Sequence, residues 1–225
     1  MNEKDDTMFS LDIFRKKYKT DSTEVKIRNR RFSFFIPREL DPFLDQQDVF
    51  HNFPLWAKIW EASVVLADHL ASLEALSGRG LLEIGCGIGL VGIVAASFGH
   101  EVTMTEQDPD ALNFARANAL TNLSPSNPPI EIHRLDWNQP ALDRTFDLIV
   151  ASEIVYSERD YKPLFALFKT LLKPGGEIIL AEGLRESSVN FFKEMSQHFE
   201  MKAQKKTIRT PEKEIRIILC SMKFK

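Results

Sequence analysis

Two cysteines in 225 residues, Cys86 and Cys220, are too few for a disulfide framework or a thiolate zinc site, so reduced thiols are expected. No run of about 18 apolar residues occurs, which removes the usual candidate for a helical membrane span. The opening Met1-Asn2-Glu3-Lys4-Asp5-Asp6 carries acids where a secretory signal would carry bases and then an apolar run. A cytoplasmic protein without a membrane partner is expected. Ten Gly and 11 Pro exclude a fibrous or low-complexity chain. A formal charge of -3, from 29 bases and 32 acids, gives no excess with which a whole surface would grip nucleic acid, and no nucleic-acid partner is expected. The histidines His51, His69, His100, His133 and His198 are scattered, so no metal constellation is expected either. What is present is 44% hydrophobic residues, enough for the core of a single α/β domain.

Along the chain, Val25 to Pro37 is rich in β-branched and aromatic residues and predicts one or two short strands, with a turn at Asp41-Pro42. The bases Arg28, Arg30 and Arg31 are expected on the solvated face of an edge strand. Residues 1–54 are thus an N-terminal extension, and 55–225 the main domain. Helical spacing of apolar residues predicts a helix over Leu55 to Ala75, stopped by Gly78. Strands then alternate with helices: Leu81 to Ile84, Gly89 to Phe98, Glu101 to Thr105, Asp110 to Thr121. Ile130 to Arg134 and Phe146 to Ala151 follow as strands, then helix Tyr161 to Leu172, strand Glu177 to Ala181 and a Ser-capped helix Ser187 to His198. Such alternation means an α/β, doubly wound, Rossmann-like sheet, mostly parallel and covered on both faces. Phe199 to Thr207 and Glu214 to Ser221, joined through Thr210-Pro211-Glu212, predict an antiparallel hairpin that ends the sheet with a reversed edge strand. The bases Lys202, Lys205, Lys206 and Arg209 are read as its solvated face.

Leu81-Leu82-Glu83-Ile84-Gly85-Cys86-Gly87-Ile88-Gly89-Leu90 runs an apolar strand into three alternate glycines and a helix. Glycines there bring bare backbone against a ligand at the carboxyl end of a strand, where doubly wound sheets bind nucleotides. Gly87-Ile88-Gly89-Leu90-Val91-Gly92 also satisfies the dinucleotide G-x-G-x-x-G pattern. Glu83 argues against that frame, since a carboxylate would repel a pyrophosphate yet attract the cationic amino-acid end of S-adenosylmethionine. The frame starting at Gly85 also begins where the strand ends, and Lys173-Pro174-Gly175-Gly176 is a turn typical of methyltransferases.

With these motifs the chain resembles the class I, seven-stranded S-adenosylmethionine-dependent methyltransferases over roughly residues 55 to 221. The resemblance implies S-adenosylmethionine as cofactor and a last strand that is antiparallel. It implies that Gly85, Cys86, Gly87 and Gly89 wrap the cofactor's methionine part, with Glu83 beneath. Glu106 would anchor the ribose with Gln107 beside it, and Asp136 and Trp137 would meet the adenine.

A nearer resemblance is to methyltransferase family 16, which holds many protein-lysine methyltransferases. It rests on Trp56 with Trp60-Glu61-Ala62-Ser63, and on Glu153-Ile154-Val155-Tyr156, where the family more often has Asp first. It implies a protein-lysine substrate, with Glu153 and Tyr156 as catalytic candidates, Ser152 near the cofactor and Trp60 as a lid. A lysine amine must lose its proton before attack, at a cost of about 4 to 5 kcal/mol at neutral pH. A neighbouring carboxylate raises the amine's pKa, so Glu153 is cast as a clamp that orients the amine rather than as a strong base. Tyr156 would add an aromatic wall or a hydroxyl acceptor. A small-molecule N-methyltransferase and a cofactor-binding module without turnover remain alternatives.

Overall fold

The computed structural model describes residues 9–44, 53–209 and 213–225. Met1 to Asp6, His51 and the Thr210-Pro211-Glu212 connection lie outside the described residues. Helix α1 (Leu11–Lys17) leads into an antiparallel hairpin of β1 (Thr20–Ile27) and β2 (Arg30–Pro37). The expected strands are therefore two, and the first begins earlier than the Val25 start read from composition.

After a single 3-10 turn at Leu55–Ala57 come α2 (Glu61–Leu70), β3 (Gly80–Ile84), α3 (Leu90–Ser97), β4 (Glu101–Glu106) and α4 (Pro109–Asn122). The chain continues through β5 (Ile130–Arg134), β6 (Phe146–Ser152), α5 (Tyr161–Leu171), β7 (Leu172–Gly183), α6 (Glu186–Met195), β8 (Phe199–Arg209) and β9 (Glu214–Phe224). Seven strands make one sheet in the order β5-β4-β3-β6-β7-β9-β8. Neighbours from β5 to β7 are parallel, and β9 is antiparallel to both β7 and β8. The reversed strand is thus the last in the chain, but it inserts one place in from the edge, which β8 occupies. Hairpin connectivity predicts the reversal and leaves open which arm docks on β7.

Side-chain parity along each strand divides two apolar cores. On β3, Leu82 and Ile84 join the core with α5 and α6, whereas Leu81 faces α2, α3 and α4. Helix α3 is buried all round, as an apolar helix between a sheet and two neighbouring helices must be. Helix α4 starts at Asp108, whose Oδ1 accepts from the Asp110 and Ala111 N–H groups at 2.8 and 3.0 Å, with Pro109 in the first turn.

The N-terminal hairpin is stitched onto α4 by two asparagines. Asn118, fully buried, accepts from Phe35 N at 2.7 Å and donates to Phe35 O and Ile88 O, while Asn122 exchanges hydrogen bonds with Ser33. Phe14, Tyr18, Phe32 and Phe34 extend the same apolar core. The basic run is exposed, as expected, and each of its side chains also has a partner. Arg28 pairs with Asp68 of α2 at 2.7 Å, and Arg30 donates to Ser97 O while lying 4.2 Å from the Phe98 ring centroid. Arg31 pairs with Glu24 of the neighbouring strand at 3.6 Å.

Three other boundaries differ from periodicity. The Leu55–Ala75 pattern yields a helix only over Glu61–Leu70, because Lys58 and Trp60 are extended, with φ/ψ of -126/147° and -95/147°. The indoles hold them there: Trp56 Nε1 donates to Asp108 and Trp60 Nε1 to Leu55 O. The Lys173-Pro174-Gly175-Gly176 turn is a bulge inside β7, since pairing with β6 passes from Phe146–Leu172 directly to Leu148–Glu177. Helix α6 begins before the expected Ser cap: Ser187 Oγ instead donates to Val155 O at 3.3 Å, and Ser188 Oγ to Gly183 O at 2.6 Å.

Candidate functional site

At the carboxyl ends of β3, β4 and β6 the chain encloses a cleft of about 280 Å³. The first wall is the glycine loop. Gly85, Gly87 and Gly89 all have positive φ, which opens the loop and turns it into α3. Cys86 N–H donates to Thr105 O at 3.0 Å and Gly87 N–H to Glu106 Oε2 at 3.0 Å, so β4 fixes the loop from beside it.

Two carboxylates lie at its base. Glu83 is buried and accepts from Gly92 N–H at 2.7 Å, and burial pushes its carboxyl up to about 8. Gly92 is needed for space: a Cβ there would stand 2.5 Å from Met104 and 2.6 Å from Glu83 Oε2. Glu106 accepts from Gly87, Gln107 and Asp108 N–H groups, and burial outweighs those bonds to raise its carboxyl.

The second wall follows β6. Ser152, Glu153 and Tyr156 line the cleft together with Trp60 and Trp137. Glu153 adopts φ +53°, a left-handed conformation that costs a non-glycine residue about 1–3 kcal/mol unless its surroundings over-determine it. They do. Its N–H donates to Ala181 O at 3.0 Å, Gly183 N–H donates to its Oε1 at 2.9 Å, and Arg185 pairs with its Oε2 at 2.5 Å. The next residue is held as well, since Ile154 N–H donates to Glu182 Oε1 at 2.9 Å.

Of the residues expected from sequence, the cleft brings together Trp60, Glu83, Gly85, Cys86, Gly87, Glu106, Trp137, Ser152, Glu153 and Tyr156. Gly89, Gln107 and Asp136 stand outside its wall. Gly89 is the N-cap of α3 and faces Ile93, Ala115 and Met104; Gln107 is exposed; Asp136 Oδ1 caps its own turn through Asn138 N–H at 2.9 Å. Sequence reasoning missed Lys58, whose Nζ lies 4.6 Å from the Trp60 ring centroid at the cleft. It also missed Glu182 and Arg185, which support Glu153 from β7 and the start of α6. The available signal was their place at the carboxyl end of a central strand, Glu182 as its last residue but one and Arg185 two past it, where doubly wound sheets put functional groups.

The family described as lysine methyltransferase matches residues 46–198. The chain belongs to that family. It is an S-adenosylmethionine-dependent lysine methyltransferase, so the cofactor is S-adenosylmethionine and not a dinucleotide. Protein N-lysine methyltransferase METTL21A of Mus musculus is 34% identical over 72% of this chain and 75% of its own length. EEF1A lysine methyltransferase 3 of Xenopus tropicalis is 28% identical over 74% of this chain and 75% of its own. A histidine protein methyltransferase 1 homolog of Dictyostelium discoideum is 30% identical over 64% of this chain and 48% of its own length.

Among solved structures, the magnesium protoporphyrin IX methyltransferase of Synechocystis aligns with a TM-score of 0.58 at 18% identity. The match covers 72% of this chain and 77% of that one. TYW2 of P. horikoshii aligns with a TM-score of 0.60 at 15% identity, over 90% and 71% of the two chains. Both share the fold. The cleft fits the family's cofactor on its own chemistry: a bare-backbone cradle, a buried acid suited to a cationic group, and a second acid at the end of β4. Among the described residues no helix is long and apolar enough to cross a membrane, and no three His, Cys, Asp or Glu side chains cluster as a metal site.

Proposed function

We propose that this lysine methyltransferase acts on a lysine side chain of a partner protein, with Glu153 holding the amine at the mouth of the cofactor cleft. The observation that carries the reading is the Glu153 carboxylate itself. It lines the same cleft as the glycine loop, on a backbone conformation that three hydrogen bonds and an ion pair hold in place. The names of the relatives support a protein as the acceptor. Two free, buried thiols suit action in a reducing compartment such as the cytoplasm.

In this reading Glu106 holds the ribose hydroxyls, Glu83 lies under the cationic amino-acid end, and Gly85, Cys86 and Gly87 give close backbone approach. Trp137 and Trp60 supply flat apolar walls. S-adenosylmethionine would supply a methyl group on a sulfonium sulfur for an in-line displacement, in which the amine, having already given one proton to solvent, bonds to the methyl carbon while the carbon–sulfur pair stays on sulfur. The protein's part is alignment. Glu153 orients the ammonium and then the neutral amine, while Tyr156 closes the side chain's path with its ring.

Tritiated methyl donor incubated with an undialysed cell extract tests this. Label is expected in protein bands; label confined to small solutes would refute the protein acceptor, and donor binding without transfer would refute turnover. Glu153→Ala is expected to cut transfer more than tenfold while leaving donor affinity within about threefold. Equal loss of both would remove the clamp role.

A further inference from the structure

Glu153 is one corner of a cluster whose other members, Arg185 and Glu182, hold it in place. Arg185 Nη2 lies 2.5 Å from Glu153 Oε2 and 3.1 Å from Glu182 Oε2. The Glu182 side chain is fully buried, and its other oxygen accepts from Ile154 N–H. Arg185 also stacks over Tyr156, 5.5 Å from the ring centroid, and its Nη2 lies 3.4 Å from Val155 O. Every residue of the Glu153–Tyr156 segment except the backbone of Tyr156 is therefore tied to Glu182 or Arg185. Among the described residues, Arg185 is the one cation paired with either carboxylate.

We propose that Arg185 and Glu182 are positioning residues for the reaction, and that two carboxylates sharing one guanidinium leave the cluster one positive charge short, which the substrate's ammonium completes. This rests on the reading of Glu153 as the clamp and names what tunes it. Charge balance decides between capture and reactivity. A more negative cluster binds an ammonium more tightly but holds its proton harder, and a more neutral one releases the proton readily but captures poorly. With Glu182 ionised the three charges sum to -1, between these extremes. In the substrate-free cluster a proton on Glu182 makes up the missing charge, since burial first and Glu153 second push its carboxyl up to about 8, and the arriving ammonium takes that proton's place. The same balance favours a cationic alkylammonium over a neutral imidazole, which brings no charge to complete the cluster.

The two positions therefore carry opposite kinetic signatures, which a purely structural role would not produce. Tritiated S-adenosylmethionine with a dialysed protein extract as acceptor gives an apparent kcat and a half-saturating acceptor concentration. Calorimetry with S-adenosylhomocysteine checks that the cleft is intact. R185Q is expected to lower kcat about tenfold or more without raising half-saturation, because the cluster becomes more negative. R185K, which restores the charge, is expected to recover at least about a third of the lost rate. E182Q keeps an acceptor for Ile154 N–H, and is expected to raise half-saturation about fivefold or more with a smaller change in kcat.

R185Q retaining its rate within about twofold, R185K as slow as R185Q, or both positions moving kcat and half-saturation in the same direction overturns the inference. Loss of S-adenosylhomocysteine affinity in parallel with rate does the same, by reducing both residues to scaffold. E153Q in the same assay separates this from the underlying reading. If E153Q keeps its rate, the clamp itself fails; if E153Q is slow and R185Q is not, only the charge-balance inference fails. A wild-type protein that labels no acceptor refutes the proposed function before either question arises.

Discussion

Glu106 takes three backbone N–H bonds, yet burial still raises its carboxyl, which leaves a half-buried acid on the cleft wall with capacity for a polar partner. If that partner is the ribose, Glu106→Ala should weaken S-adenosylhomocysteine binding at least about tenfold by calorimetry, since a buried, charge-assisted pair of hydrogen bonds is lost. Unchanged affinity would remove Glu106 from the ribose assignment. Residues at strand ends were the most legible of all from sequence. Glu83, Glu106 and Glu153 each stand where an apolar strand stops, and that boundary is visible in the string of letters. Asp136 is less legible: its Oδ1 accepts from the Asn138 N–H and side-chain amide and so closes its own turn, a use that strand-end position does not reveal.

At the scale of elements, the link between the N-terminal hairpin and the glycine loop runs through one side chain. Asn118 of α4 satisfies both backbone groups of Phe35 and the carbonyl of Ile88 inside the loop. Asn118→Ala leaves those buried groups unpaired, and a loss of about 1–3 kcal/mol of unfolding free energy is expected in urea titration. Weaker donor binding should accompany it through the Ile88 contact; a stability change below about 0.5 kcal/mol would show that water replaces the asparagine fully. Nothing in the sequence marked Asn118, because a polar residue on an amphipathic helix reads as solvent-facing until its neighbours are known.

The Leu55–Trp60 segment was misread for a related reason. Its apolar spacing is helical, but the indole hydrogen bonds to Asp108 and Leu55 O hold it extended along the cleft, and tertiary contacts outweigh local propensity. The strand and helix alternation beyond it was legible because every element there buries a face against the sheet, which fixes the period of its apolar residues.

For the whole molecule, two buried carboxyls imprint a pH dependence on stability. Glu83 and Glu182 both have folded-state pKa values of about 8 against 4.5 when unfolded. A raised acid binds its proton more tightly in the folded chain, so its contribution is fully present below about pH 4.5 and is lost as pH climbs through about 8. The cofactor-free protein should therefore lose thermal stability progressively from about pH 4.5 to about pH 8 and level off above that. Glu83→Gln and Glu182→Gln should each flatten that slope, as thermal melts over the range would record; slopes identical to wild type would mean the acids are better solvated than their burial implies. A cation bound beside either acid should flatten the slope too, which ties the fold's stability to its ligands.

The most direct measurement is mass spectrometry of extract proteins after incubation with an isotopically marked methyl donor, wild type beside Glu153→Ala. The account predicts marked methyl groups on lysine side chains, present with the wild type and absent with the variant. Marked methyl on histidine, or equal marking by both proteins, would contradict it.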